Sequence, residues 1–254
     1  MFHQNEVLRS LTEVDILEAV KWAFESAVRR SLETYDEKDG HDGMWLGTTR
    51  YVLFRNRLDR VFSCQQYTTA SVQDKKSDEE RLVRLSDLDR KTMPTIPAGL
   101  VNRANLCNSP GWSYKGIQFL LASAEFRKIE NIRWSGKSST KESVSKIPVP
   151  DPAQPPLVFE DCDGVSQPVF VVAHSLEYIS RRTELVFGKP RDNHEGGAAW
   201  EWTKYLIEAA TTPDIQPQPL DLPRQSAAEN IPDAPVRLRN KTDEQHDGST
   251  GELK

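Results

Sequence analysis

The sequence predicts an α+β fold: an N-terminal helical hairpin, a mixed middle region, a C-terminal β-hairpin plus helix, and a disordered C-terminal tail. Three observations carry that expectation. Apolar residues recur at helical spacing from Glu13 to Lys38 and again from Thr48 to Cys64. Short alternating apolar runs flank a turn at Ser180–Thr183. From residue 211 onward prolines are frequent and aromatic residues are absent.

The first helix is the clearest element. Leu17, Val20, Phe24, Ala27, Val28 and Tyr35 share one face and leave Lys21, Glu25, Arg29 and Arg30 for solvent. Thr12 and Asp15 form a start signal, and Asp39-Gly40 supplies a stop, because glycine accepts the left-handed conformation past a helix end. After a loop from Gly40 to Gly47, Thr48 or Thr49 opens a second helix reaching Cys64. Its apolar stripe is Tyr51, Phe54, Leu58, Val61 and Phe62, with Arg50, Arg57 and Arg60 beside it and an Arg55–Asp59 pair opposite. The short connection implies an αα-hairpin.

Residues 70–92 are charged and read as an exposed loop with a short helix around Glu79–Leu85. Asn108-Ser109-Pro110-Gly111 marks a turn. Between Gly116 and Trp134 two readings stand: Ile117, Phe119 and Leu121 alternate as in a strand, the favoured reading, while Phe119, Leu120, Ala124 and Ile129 could line a helix. Pro168 to Phe187 forms the β-hairpin, and its first strand is apolar on both faces, as an internal strand is. Ala199, Trp202, Tyr205, Leu206 and Ala209 then fall at helical spacing, predicting a final helix from Ala198 to Ala209.

Residues 1–210 are expected to form a single α+β domain, with a subdomain boundary at the proline-rich connector 147–156. Residues 211–254 lack the apolar surface that offsets an ordering cost of roughly 1–2 kcal/mol per backbone residue. The formal net charge is −5 at pH 7. The tail carries −3 of it, so the folded part is nearly neutral, against a DNA binder that relies on bulk positive charge. Three scattered cysteines, Cys64, Cys107 and Cys162, suggest neither a disulfide framework nor a zinc site. The N-terminus lacks the apolar core of a signal peptide, and no apolar run is long enough to span a bilayer. The expected setting is the cytoplasm, soluble and without a membrane partner.

The chemistry-bearing residues concentrate between Glu33 and Arg60. Glu33 and Glu37 are i,i+4; Asp36, Asp39, His41 and Asp42 follow. Carboxylates with one histidine suit a divalent metal or an acid–base pair. The spacing matches neither HExxH nor an EF-hand, and Asp36-Glu37-Lys38 lacks the strand context of a nuclease element. Arg50, Arg57 and Arg60 suit phosphate or carboxylate recognition. The competing and favoured reading is an ion-pair network across the hairpin, acids neutralising arginines. Gly136-Lys137-Ser138 resembles a P-loop end, but Asn131 stands where the first glycine belongs, so no nucleotide cofactor is expected. Ser138 to Lys141 fits S-x-x-K without the companion motifs of a serine acyl-enzyme. His174 lies on a strand face, with Glu177 or His194 as conceivable partners. Gly196-Gly197 before the predicted helix offers an anion site, Trp112, Trp134, Trp200 and Trp202 a stacking surface or core, and Pro219-Leu220-Asp221-Leu222-Pro223 a docking peptide.

Every catalytic pattern fails on spacing or context. The expectation is therefore a binding or regulatory protein, not an enzyme, using Arg50, Arg57 and Arg60 toward an unidentified protein or nucleic-acid partner and needing no cofactor. The alternative is a metal-dependent hydrolase or nuclease. Glu33, Glu37, His41 and Asp42 would then hold a divalent metal, with His41 and Asp42 as the catalytic candidates.

Overall fold

The computed structural model describes residues 4–64, 82–107, 109–147 and 169–209, all within the unit Met1–Thr211. The proline connector from 148 onward, residues 79–81 of the expected helix around Glu79–Leu85, and the tail with its docking peptide lie outside the described residues.

The fold is α+β. A six-stranded mixed sheet runs in the order β1 (Asn102–Arg103), β2 (Gly111–Tyr114), β3 (Ile117–Ser123), β4 (Val169–Leu176), β5 (Thr183–Pro190) and β6 (Trp200–Ile207). Neighbours are antiparallel except β3 and β4, which are parallel, with Ser123 opposite His174. A parallel pair needs a crossover, and residues between β3 and β4 supply two 3₁₀ turns, Ile129–Asn131 and Trp134–Gly136, and a helix.

Five helices are described: α1 (Gln4–Thr12), α2 (Ile16–Glu33), α3 (Gly43–Val61), α4 (Asp87–Thr92) and α5 (Ser139–Lys146). The largest apolar cluster joins α1, α2 and α3 to one sheet face, through Phe24, Phe54 and Phe62 against Phe119, Phe170 and Phe187. Burying each such side chain contributes about 1.5–3 kcal/mol. Smaller clusters hold the crossover on the other face: Trp134 against Val171, Ala173 and Trp200, and Val144 of α5 against Leu120 and Val169. The tryptophans Trp112, Trp134 and Trp200 are thus core residues.

The helical hairpin forms, with shifted boundaries. An unexpected helix, α1, precedes it. Asp15 sits between α1 and α2 at φ 57° and makes no side-chain cap bond. The first hairpin helix ends at Glu33, where the Thr34 hydroxyl donates to the Arg30 carbonyl at 3.0 Å, and a 3₁₀ turn (Glu37–Asp39) follows. Gly40 takes the left-handed conformation at φ 82°. The second helix starts at Gly43, ahead of Thr48, because the Asp42 carboxylate accepts from the Trp45 amide at 2.7 Å. Asp59 turns away from Arg55: it accepts from Arg103 at 2.5 Å and from Trp112 Nε1 at 3.0 Å.

The expected C-terminal helix is instead the strand β6. Pairing with β5 is irregular at Leu185/Val186 and at Lys189/Pro190. Each bulge resets which face the next residue takes. Trp200 and Tyr205 therefore reach one core cluster and Trp202 and Leu206 the other, at intervals that mimic a helix. Gly188 on β5 admits this edge, since a Cβ there would lie 2.6 Å from the Trp202 carbonyl oxygen.

Cys107 is disulfide-bonded, which the scattered cysteines did not predict, and Cys64 is a free thiol pushed up to about 12, first by burial and then by Asp59. Among the described residues no helix is long and apolar enough to cross a membrane.

Candidate functional site

The acidic cluster does not converge. The Glu33 carboxylate accepts from Arg30 at 3.3 Å, and Glu37 accepts from the Tyr178 hydroxyl at 2.8 Å. Asp36 and Asp42 accept from backbone amides of Lys38 and Trp45. His41 Nδ1 accepts from the Asp36 amide at 3.0 Å, and its ring stacks on Trp45 at 3.7 Å. Each side chain is occupied locally, and among the described residues no three His, Cys, Asp or Glu side chains gather as a metal site requires. Asp36-Glu37-Lys38 lies at the 3₁₀ turn rather than on a strand.

The three arginines turn inward. Arg50, Arg57 and Arg60 are 6%, 4% and 6% exposed. Arg50, Phe54, Arg57 and Val61 repeat at helical spacing along the inner face of α3. Arg57 donates to Ser26 at 2.8 Å and to Asn56 at 2.9 Å, and burial lowers its pKa to about 10. Arg60 Nε donates to Asn56 at 2.8 Å. Arg50 differs: its buried Nε has no hydrogen-bond partner, and burial lowers its pKa to about 10, leaving it charged at neutral pH.

Among the described residues, two cavities have charged linings that bear on function. The larger, about 480 Å³, is lined by Arg29, Arg30, Arg57, Arg84, Glu33 and Asp89. Its cations are mostly engaged: Arg29 with Asp89 at 2.7 Å, Arg30 with Glu33, and Arg57 as above. It reads as a structural ion-pair cluster.

The smaller cavity, about 340 Å³, lies at the carboxyl end of β3. Three distant segments meet there: Thr48 and Tyr51 from α3, Ser123 from β3, and Lys137 and Lys141 from the start of α5. The 3₁₀ turn Trp134–Gly136 delivers Lys137. Trp134 anchors that turn, 1% exposed, by donating its indole N–H to the Ala199 carbonyl at 2.7 Å. Ser138 caps α5 by accepting from the Lys141 amide at 3.2 Å, so the S-x-x-K pattern is a helix start. No acidic side chain lines this cavity among the described residues. The nearby carboxylate of Glu125 is paired with Lys128.

Beneath the cavity, Ser123 Oγ lies 3.3 Å from His174 Nε2. His174 is completely buried among Phe24, Tyr51 and Phe54, and its Nδ1 has no partner. Its expected partners are elsewhere: Glu177 binds Arg182 at 2.9 Å, and the His194 amide donates to Asp192 at 3.2 Å. Burial, and after it the charges of Arg50 and Lys137, hold the His174 pKa well below the usual imidazole range, so the ring is neutral at pH 7. Lys141 is pulled down by burial and then by Lys137. Burial is the main cause of both shifts, and the smaller part comes from Arg50 and Lys137, cations gathered at the ends of β3 and β4. Such a site attracts an anion.

Gly196 and Gly197 take positive φ but lead into β6, so no helix start stands behind them. Sequence reasoning met Lys137 and Lys141 only as failed motifs and did not connect Ser123 with His174. Only the parallel pairing of β3 and β4 joins these residues. Comparison with known protein families, with curated proteins and with solved structures finds no match for this chain.

Proposed function

We propose that this protein is a binding or regulatory protein that acts through a nucleic-acid partner, without turnover. The observation that supports this reading is the cavity at the end of β3, where Lys137 and Lys141 face an opening with no acidic lining among the described residues. Thr48 and Ser123 add hydroxyl donors, and Tyr51 adds an aromatic wall for a base. The divalent-metal alternative has no comparable support, because Glu33, Glu37, His41 and Asp42 each hold a different local partner. Of the arginines, Arg50 serves this reading by its charge; Arg57 and Arg60 serve the packing of α3.

The test is fluorescence anisotropy with a 3′-labelled single strand at several salt concentrations. The double variant Lys137→Ala/Lys141→Ala should weaken binding at least about tenfold and lower the salt slope by about 0.7 for each lost phosphate contact. Wild-type protein that fails to bind, or a variant that binds equally, overturns the proposal.

A cytoplasmic location belongs to the same proposal, and the disulfide at Cys107 weighs against it. Alkylating the protein at lysis and counting modified cysteines by mass spectrometry decides: an oxidised Cys107 in the cell excludes a reducing compartment.

A further inference from the structure

We propose that the cavity at the carboxyl ends of β3 and β4 selects a terminal phosphomonoester, with Lys137 and Lys141 taking its two charges and Ser123 and Thr48 its remaining oxygens. This rests on the binding reading above and narrows it to one chemical group.

Charge balance is the first argument. A phosphomonoester carries about −1.5 to −2 at neutral pH, whereas an internal phosphodiester carries a single charge. Two lysines line the cavity with no acidic lining residue among the described residues, Arg50 adds a buried charge outside that lining, and His174 beneath them is neutral. A dianion satisfies this arrangement, and a single charge leaves one lysine over.

Shape is the second. The cavity holds about 340 Å³, near the lower bound of small-ligand sites. It is open to solvent and has room for one phosphate and the group attached to it. Tyr51 stands beside the lysines in the lining, an aromatic ring placed for a sugar or base.

The recognition differs from a P-loop. Asn131 occupies the position of the glycine a backbone cradle needs, and here side chains from three segments surround the anion instead. The lysine of Gly136-Lys137-Ser138 thus meets phosphate without the loop that normally presents it.

The source of the monoester is either a strand end or a free mononucleotide, and competition separates them. A labelled 5′-phosphorylated strand is displaced by three unlabelled competitors: its phosphorylated twin, the same strand with hydroxyl ends, and a nucleoside 5′-monophosphate. The phosphorylated twin should compete at least about tenfold better than the hydroxyl-ended strand, a difference of about 1.4 kcal/mol. Lys137→Ala/Lys141→Ala should erase that preference, and Thr48→Val or Ser123→Ala should reduce it. Circular dichroism confirms that each variant is folded. A mononucleotide as effective as the strand assigns the site to free nucleotides; a far weaker one assigns it to strand ends. If both strands bind equally and depend on the lysines, the monoester proposal is overturned and the nucleic-acid reading stands. If the mononucleotide alone binds, the proposal stands and the nucleic-acid reading falls. If nothing binds, both fall.

Discussion

Charge is handled in opposite ways at two places on this sheet. Beside β1 and β2, Asp59 is 3% exposed and bonded to both Arg103 and Trp112. Burial raises its pKa, and the two partners offset part of that cost. At the ends of β3 and β4, Lys137 and Lys141 face a cavity with no acidic lining among the described residues, and Arg50 lies buried with its Nε unbonded. A closed cluster spends its charges on the fold. An open one, as proposed here, leaves them for a ligand. The difference lies in partners rather than in burial, and it can be broken by removing a charge from each place.

The largest effect is expected from Asp59→Ala. It strands Arg103 in the interior and deprives Trp112 of its acceptor, a loss of about 3–5 kcal/mol for a broken buried pair. Urea denaturation reads it directly. A loss below about 1 kcal/mol would mean that this cluster is as open as the cavity, and the contrast would collapse.

The next effect belongs to His174. Its folded pKa lies below its unfolded value, so the unfolded chain takes up the proton first as pH falls. Stability from this group is complete above about pH 6.5 and declines below it, by up to about 1.4 kcal/mol per pH unit. Denaturation curves between about pH 6.5 and 5, above most carboxylate titrations, isolate the slope. His174→Gln should flatten it. An unchanged slope would show that the ring is not the group whose charging the β3–β4 end resists.

These contrasts explain what the sequence disclosed. The hairpin α2–α3 was legible because Phe24, Ala27, Phe54 and Leu58 follow one period. The strands β4 and β5 were legible because β4 is apolar on both faces. The strand β6 was not, since two bulges break its alternation. The cavity was illegible for another reason. Its residues come from positions 48–51, 123 and 137–141, and no local pattern links them. The residues that did cluster in sequence, Glu33 through Asp42, spend themselves on Arg30, the Tyr178 hydroxyl and nearby amides. Proximity along the chain signalled a capped loop, and the parallel register of β3 with β4 made the site.

That loop offers a smaller test. Asp42→Ala removes the acceptor for the Trp45 amide at the start of α3 and should cost about 1 kcal/mol, as loss of a helix cap does. Manganese or magnesium should leave the melting temperature of wild type and variant unshifted. A metal-dependent rise that Asp42→Ala abolishes would revive the hydrolase reading and move the site from the β3–β4 end to the loop.

The smallest effect is the most diagnostic, because its sign is opposite. Lys141 is partly buried beside Lys137 and its pKa is lowered by both burial and that neighbour. Removing its charge relieves an unfavourable interaction. Lys141→Gln should therefore hold stability constant or raise it by up to about 0.5 kcal/mol, where Asp59→Ala lowers it severalfold more. The gain should shrink as salt rises, since added ions screen the lysine pair in wild type. Tolerance of that loss at a residue in the cavity wall would fit the proposed role of Lys141 in binding. If Lys141→Gln instead destabilises the protein by about 1 kcal/mol or more, the lysine is a packing element and the open end of the comparison closes.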